Sequence, residues 1–370
     1  MSVKSWVLLL LFVILASLIE CTRENGTSET LILVHAVFRH GDRTPDEFGR
    51  YPNDPYKNDS YFPTGSGELT DRGKRREYSV GKSLRKRYNK FLGDLYTPDI
   101  VEAWSSDRNR TKMSLQLVLA GLFPPSKEQM WETDLNWQPI PFHTNPLTQD
   151  MLFFGILCPS YTQYTSEYEN STKIQRQLQQ HSEDFKYISE KSGLNAKSYQ
   201  DMFLLYSCLT TEQEYGLILP EWTKNVYPQP LQDLTIKGYQ AETATTEMRR
   251  ITSGTLLKKI VDNIEAKVDN QMPLKNRKIY LYSGHEFNIA HLLHTLEVFE
   301  PHIPPYGSYI LFELHKIDNV TGFKIYYQDY SSVQPKLLKL PACDEFCPLK
   351  KFVSYVEEYF PEKDACKLRT

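Results

Sequence analysis

The sequence predicts an α/β fold, a mostly parallel central sheet flanked by helices with a smaller, mainly helical cap domain. Three observations carry that expectation. Short apolar, β-branched runs that end in polar loops alternate with stretches of helical periodicity, the pattern of strands and helices wound into one layered core. Residues from about 146 to 235 lack such runs and are rich in Gln, Tyr, Ser and Glu, which suits a helical insertion over the sheet. The 370 residues are 40% hydrophobic and 13% aromatic, enough to bury a real core and too apolar for a disordered or collagen-like chain.

The first strand is expected at 31–38, Leu-Ile-Leu-Val-His-Ala-Val-Phe, and similar runs stand at 100–104, 278–282, 309–314 and 323–327. Thr70 can N-cap a helix reaching about Lys90, with Tyr78, Leu84, Tyr88 and Phe91 as its apolar stripe. A second helix is expected over 110–122, stopped by Pro124 and Pro125, and a third from Glu242 to about Lys267. A fourth follows Gly284 with Ile289, Leu292, Leu293 and Leu296 facing inward. The expected division is a catalytic core of 30–145 and 236–370 with a cap of 146–235 inserted in it. No internal repeat or heptad run is present.

Lys4 precedes an apolar run over 6–16, too short to span a bilayer, so residues 1–21 read as a secretory signal peptide. The polar C-terminus offers no membrane anchor. Sequons at Asn25, Asn58, Asn170 and Asn319 lie in loop-like contexts and are expected to carry glycans, whereas Asn109, set between Asp107 and Arg110, is expected to stay bare. Cys343 and Cys347 are close enough for a local disulfide; Cys158, Cys208 and Cys366 are spread widely, and their connectivity stays open at this point. The expected location is extracellular, ahead of a lysosomal lumen. With 43 basic and 46 acidic residues the net charge is −3, and no nucleic-acid partner is expected. The basic residues between Arg72 and Lys90 read as a solvated helix face, since no stacking aromatic array accompanies them.

The most informative stretch follows the first strand: Arg39-His40-Gly41-Asp42-Arg43-Thr44-Pro45. In an open α/β sheet, ligands bind at the carboxyl ends of the strands. Guanidinium forks match phosphate oxygens, and fixed cations keep a neighbouring imidazole neutral and nucleophilic. Ser105-Ser106-Asp107-Arg108-Asn109-Arg110 follows another strand and opens a helix, and so does Ser283-Gly284-His285-Glu286. Three strand ends thus supply three arginines, two histidines and one acid, a set suited to phosphomonoester hydrolysis through a phosphohistidine.

These motifs resemble the histidine acid phosphatase family, in the branch of prostatic and lysosomal acid phosphatases, with the secreted insect venom type most similar. The resemblance runs from about residue 30 to Cys366. It implies a histidine phosphatase or phosphoglycerate mutase-like fold, His40 as the phosphorylated nucleophile, Arg39, Arg43, Arg110 and His285 as phosphate ligands, and Glu286 as proton donor. No metal or cofactor is implied. Its partners would be small phosphomonoester substrates, and a homodimer is compatible with it. Close relatives mostly carry Asp where this chain has Glu286; other branches use Glu as donor. The resemblance also implies disulfides Cys158–Cys366 and Cys343–Cys347, and leaves Cys208 unpaired because its usual partner position is Tyr309.

Other readings are weaker. A zinc protease built on His285-Glu286 would need a histidine at Ile289. His291 and His294 lie one turn apart without nearby acids or Cys, and His35 sits within a strand run where packing is its expected role. Cofactor-type phosphomutases share the Arg-His-Gly core but not the added Arg43 and Pro45. A secreted binding protein of the same fold with little catalysis is disfavoured because every charged role is filled. Nucleotides, sugar phosphates, phosphoproteins, lysophospholipids and phytate-type substrates all remain open.

Overall fold

The first strand, β1 (Leu31–Arg39), sends Leu33 and Val37 to one buried face and Val34, Ala36 and Phe38 to the other. A strand apolar on both faces belongs in the middle of a sheet covered on both sides. The computed structural model, which describes residues 29–368, places it there. The expected signal peptide and Asn25 lie outside the described residues.

In chain order there follow α1 (Asp71–Leu92), β2 (Val101–Ser105), α2 (Asn109–Leu122) and the short β3 (His143–Thr144). Then come α3 (Pro159–Glu169), α4 (Thr172–Gln179), α5 (Ser182–Ser192), α6 (Tyr199–Tyr215), α7 (Leu231–Ala241), α8 (Thr246–Arg249) and α9 (Thr255–Val268). The chain ends with β4 (Ile279–Gly284), α10 (Glu286–Thr295), β5 (Tyr309–Ile317), β6 (Val320–Gln328), β7 (Lys336–Leu338), β8 (Cys347–Pro348) and α11 (Leu349–Val356). The sheet order is β3-β2-β4-β1-β5-β6-β7, with β8 also on β6. Strands β3, β2, β4 and β1 run parallel, and β5 to β8 extend the sheet antiparallel.

One face of the sheet packs on α1 and α2 through Val80, Leu84, Leu115 and Val118; the other packs on α9, α10 and α11 through Leu257, Ile260, Leu293 and Phe352. A further apolar cluster joins Ile174, Ile188, Met202, Leu205, Leu209 and Leu234 from α4 to α7 with Tyr51. Disulfides join Cys158 to Cys366 and Cys343 to Cys347, and Cys208 is a free, buried thiol within that helical cluster. Tyr309 packs in the separate cluster beneath α1.

Two expectations are corrected in detail. The buried stripe of α1 is Gly73, Glu77, Val80, Gly81, Leu84, Tyr88 and Leu92, while Tyr78 and Phe91 sit half-buried at its edge. The cause is close helix contact: a Cβ on Gly81 would lie 2.2 Å from the Val118 carbonyl and one on Gly121 2.4 Å from that of Tyr78, so the glycine face must turn inward. The third expected helix is broken. Residues 242–244 form the turn that follows α7, so the helix starts late, capped by Thr245, and a π-helical turn at Arg250–Gly254 separates α8 from α9. That turn brings Gly254 against the Tyr359 carbonyl, where a Cβ would stand 1.8 Å away.

No helix among the described residues is long and apolar enough to cross a membrane. Asn58, Asn170 and Asn319 are exposed. Asn109, the first residue of α2, donates from Nδ2 to Glu68 at 2.8 Å.

Candidate active site

Parallel pairing sets Arg39 opposite Gly284 and Ser105 opposite Ser283, so the chain leaves β1, β2 and β4 at one place. His40, Ser106 and His285 therefore converge from distant sequence. The His40 loop is pressed onto the start of α1, where a Cβ on Gly41 would lie 2.6 Å from the Gly73 carbonyl and one on Gly73 2.1 Å from that of Asp42. Only glycines allow the His40 loop to seat that deeply.

The His40 side chain is buried, and its Nδ1 lies 2.8 Å from the Gly41 carbonyl. A carbonyl only accepts, so Nδ1 carries the proton and Nε2 keeps its lone pair. Arg110, in the first turn of α2, directs Nε at that Nε2 from 3.2 Å. Burial, then the charges of Arg110, His285 and Arg39, holds His40 well below the ordinary imidazole range. Both causes favour the neutral imidazole.

Arg110 is anchored by Asp46, whose Oδ2 accepts from Nη1 at 2.9 Å. Burial and then Arg43 lower Arg110 to about 10, still a cation at any working pH. Burial would raise Asp46, but Arg110 and then Arg43 outweigh it and keep the carboxyl low. His285 accepts or donates through Nε2 to Ser106 Oγ at 3.0 Å and stacks on Phe287. Burial first, then Arg110 and Arg108, depresses it well below the usual value.

Arg39 lies over the Tyr306 ring at 3.8 Å, donates from Nη1 to the Pro304 carbonyl at 2.7 Å, and holds Nε 3.2 Å from Glu286 Oε2. Burial alone would raise Glu286, yet Arg39, the residue's own backbone N–H, Arg43 and Arg110 together bring it below the ordinary range. In the resting site Glu286 is an anion. Arg43 reaches across to the helical region, where Nη2 donates to Ser207 of α6 at 2.9 Å. The other acids of the motif loops are engaged: Asp42 pairs with Arg72 and Arg76, and Asp107 with Lys112.

The structure thus brings Arg39, His40, Arg110, His285 and Glu286 together by direct contacts, with Arg43 acting on them through its charge. Sequence reasoning missed the anchors Asp46, Ser207 and Tyr306. Asp46 directly follows the motif and was findable; Ser207 lies 164 residues from Arg43 with no local signal. His35 is packed between tyrosines, its ring 4.6 Å from Tyr280, and burial pushes it down to about 3. His291 faces Glu242 at 2.7 Å and His294 faces Thr243 at 2.6 Å, so the pair does not converge.

A cavity of about 290 Å³ opens beside this site, with Arg39 and Glu286 in its wall. Phe203, Tyr206 and Tyr239 from the helical region and Tyr306 give it aromatic sides, and Arg72, Arg76 and Glu214 also line it.

Residues 30–328 match the histidine phosphatase superfamily (branch 2). The chain is 40% identical over 341 residues to the venom acid phosphatase Acph-1 of Apis mellifera, covering 92% of this chain and 88% of that one. It is 34% identical over 343 residues to the prostatic acid phosphatase of Bos taurus, covering 89% and 85%. Among solved structures, the phytase of Klebsiella sp. ASR1 aligns with a TM-score of 0.67 at 15% identity, over 92% of this chain and all of that one, a likeness of fold.

Proposed function

The chain belongs to branch 2 of the histidine phosphatase superfamily, and from that premise we propose that it is a secreted acid phosphatase that hydrolyses phosphate monoesters through a phosphohistidine on His40. Arg39, Arg43, Arg110 and His285 hold the phosphoryl oxygens, and residues of about 146–235 form the cap that shapes the leaving-group side. The observation that carries the reading is the state of His40: Nδ1 is committed to the Gly41 carbonyl at 2.8 Å, and the free lone pair on Nε2 faces Arg110.

Nε2 of His40 attacks phosphorus, forming the N–P bond as the ester P–O bond breaks. The arginines balance charge on the equatorial oxygens, the largest contribution expected in such a site. Glu286, protonated, gives its proton to the departing alcohol oxygen. As a carboxylate it then takes a proton from the water that attacks the phosphohistidine, so phosphate leaves and both residues return to their starting state. A bound phosphate engages Arg39 and removes the cation that holds Glu286 ionised, so substrate binding itself favours the protonated donor. Acid pH increases the fraction of Glu286 that is protonated while the depressed His40 stays neutral, which places the optimum on the acid side. Export is supported by the signal-like start, the exposed sequons and the disulfides.

The test is rapid quench after mixing with a labelled monoester. An acid-labile, base-stable phosphoenzyme is expected, and it should vanish in His40→Ala. A wild-type enzyme that turns over with no such adduct would remove the covalent step.

A further inference from the structure

The wall of the cavity beside Glu286 holds more positive charge than the reaction uses. Arg39 is matched by Glu286 at 3.2 Å. Arg76 takes both oxygens of the buried Asp42, with Nε 2.6 Å from Oδ2 and Nη2 3.2 Å from Oδ1. That fork already satisfies the carboxylate. Arg72, one helical turn earlier on α1, adds only an Nε contact to Oδ1 at 2.9 Å, and its side chain is 61% exposed. Its Nη groups donate no hydrogen bond to any described residue. Arg72 is the surplus cation.

We propose that Arg72 forms a second anion subsite, so that the enzyme favours phosphomonoesters whose leaving group carries a carboxylate or a further phosphate at its far end. The proposal rests on the phosphatase reading above and names its substrate class. A cavity of about 290 Å³ with Phe203, Tyr206, Tyr239 and Tyr306 around it takes a flat or apolar body of about one ring. The reacting ester lies at the buried Arg39 and Glu286 end, and the distal anion meets Arg72 at the exposed end.

One group opposes this subsite. Glu214 of α6 stands at the rim, faced by Arg39, Asp42, Arg72 and Arg43, with Tyr206, Tyr227 and Tyr306 nearby. Crowding by the cavity walls raises its carboxyl above the ordinary range. On acidification Glu214 loses its charge before Glu286 does, and Arg72 is then unbalanced. The preference for an anionic leaving group therefore strengthens as pH falls, as long as the distal group itself stays ionised.

The experiment compares kcat/KM for 4-carboxyphenyl phosphate, its uncharged amide analogue 4-carbamoylphenyl phosphate, and benzene-1,4-diyl bisphosphate, at pH 5 and low ionic strength. The wild type should favour the two anionic substrates over the amide by roughly threefold to fivefold, the scale of a partly exposed charge pair. High salt should flatten that ratio. Arg72→Gln should bring it to about unity; comparing ratios between enzymes cancels leaving-group ability, and Arg76 still holds Asp42. Glu214→Gln should raise the ratio at pH 7 towards its acid value. The subsite is overturned by a wild-type ratio near unity, by a ratio that survives Arg72→Gln, or by a Glu214→Gln ratio at pH 7 equal to the wild type's. A response to the carboxylate alone or to the bisphosphate alone supports the subsite and identifies its anion. No phosphate release from any of the three substrates would defeat the phosphatase reading, and the subsite with it.

Discussion

Glu286 at the start of α10 and Glu212 in the helical region are both removed from water, and their charges go opposite ways. Glu286 has the Arg39 guanidinium 3.2 Å away and is held below the ordinary carboxyl range against the pull of burial. Glu212 is fully buried on α6 with Asp54 beside it, and the Cys208 thiol donates to its Oε1 from 3.2 Å. Burial and then Asp54 push it up to about 7. The nearby arginine, Arg50, spends its Nη groups on the carbonyls of Lys57 and Asp59. A carboxyl group is ionised in a low-dielectric site only where a cation is fixed against it. The core provides Arg39 for Glu286, whereas among the described residues no cation is paired with Glu212.

The comparison can be broken from either end. The largest effect is expected at His40, the proposed nucleophile: His40→Ala should reduce phosphate release to background without changing the melting temperature much. Arg110→Ala, which keeps the imidazole but removes a preorganised donor, should cost about 10²–10³-fold. Loss of folding in His40→Ala, seen by circular dichroism, would make that result uninformative, and His40→Gln would then serve.

Next comes the acid. Glu286→Gln keeps the shape and removes the proton, so hydrolysis of alkyl phosphates should slow by about 10²–10⁴-fold. Aryl phosphates, whose leaving groups depart without help, should be affected far less, and Glu286→Asp should keep substantial activity on both. Equal, modest losses across leaving groups would reduce Glu286 to a helix-start residue paired with Arg39.

The smallest effect concerns stability. A carboxyl whose folded pKa is raised has the same protonation in both states below its unfolded value, and becomes a penalty as pH climbs through that value towards the folded one. For Glu212 this window runs from the ordinary carboxyl range up to about 7. Glu212→Gln should therefore match the wild-type melting temperature near pH 4 and exceed it at pH 8, by on the order of a few degrees. Parallel melting curves across that range would mean that Asp54, not Glu212, carries the proton of the pair.

Much of the catalytic end was legible in the chain. A buried strand running straight into Arg39-His40-Gly41 needs no distant information to place its histidine, because β1 and the loop are contiguous. The same holds for Arg110 at the start of α2 and for His285-Glu286 at the start of α10. The buried face of α1 was less legible, since apolar periodicity marks Tyr78 and Phe91 while the Asp42 loop demands Gly73 and contact with α2 demands Gly81. The π-helical turn at Arg250–Gly254 was hidden for a similar reason: only the approach of the Tyr359 carbonyl to Gly254 marks the place where the helix yields.

By itself, then, the sequence determined the layered α/β architecture, the strand ends that carry chemistry and the residue types that meet there, because each depends on neighbours within one strand, turn or helix start. Tertiary structure decided which charges cancel. That Arg39 lies against Glu286, that Ser207 takes up Arg43, that Arg76 takes both oxygens of Asp42 while Arg72 adds a single contact, and that Glu212 has Asp54 and a thiol beside it are matters of distance between side chains. Coulomb energy in a buried site turns on those distances and on the loss of water around them, and neither is written in the local order of residues.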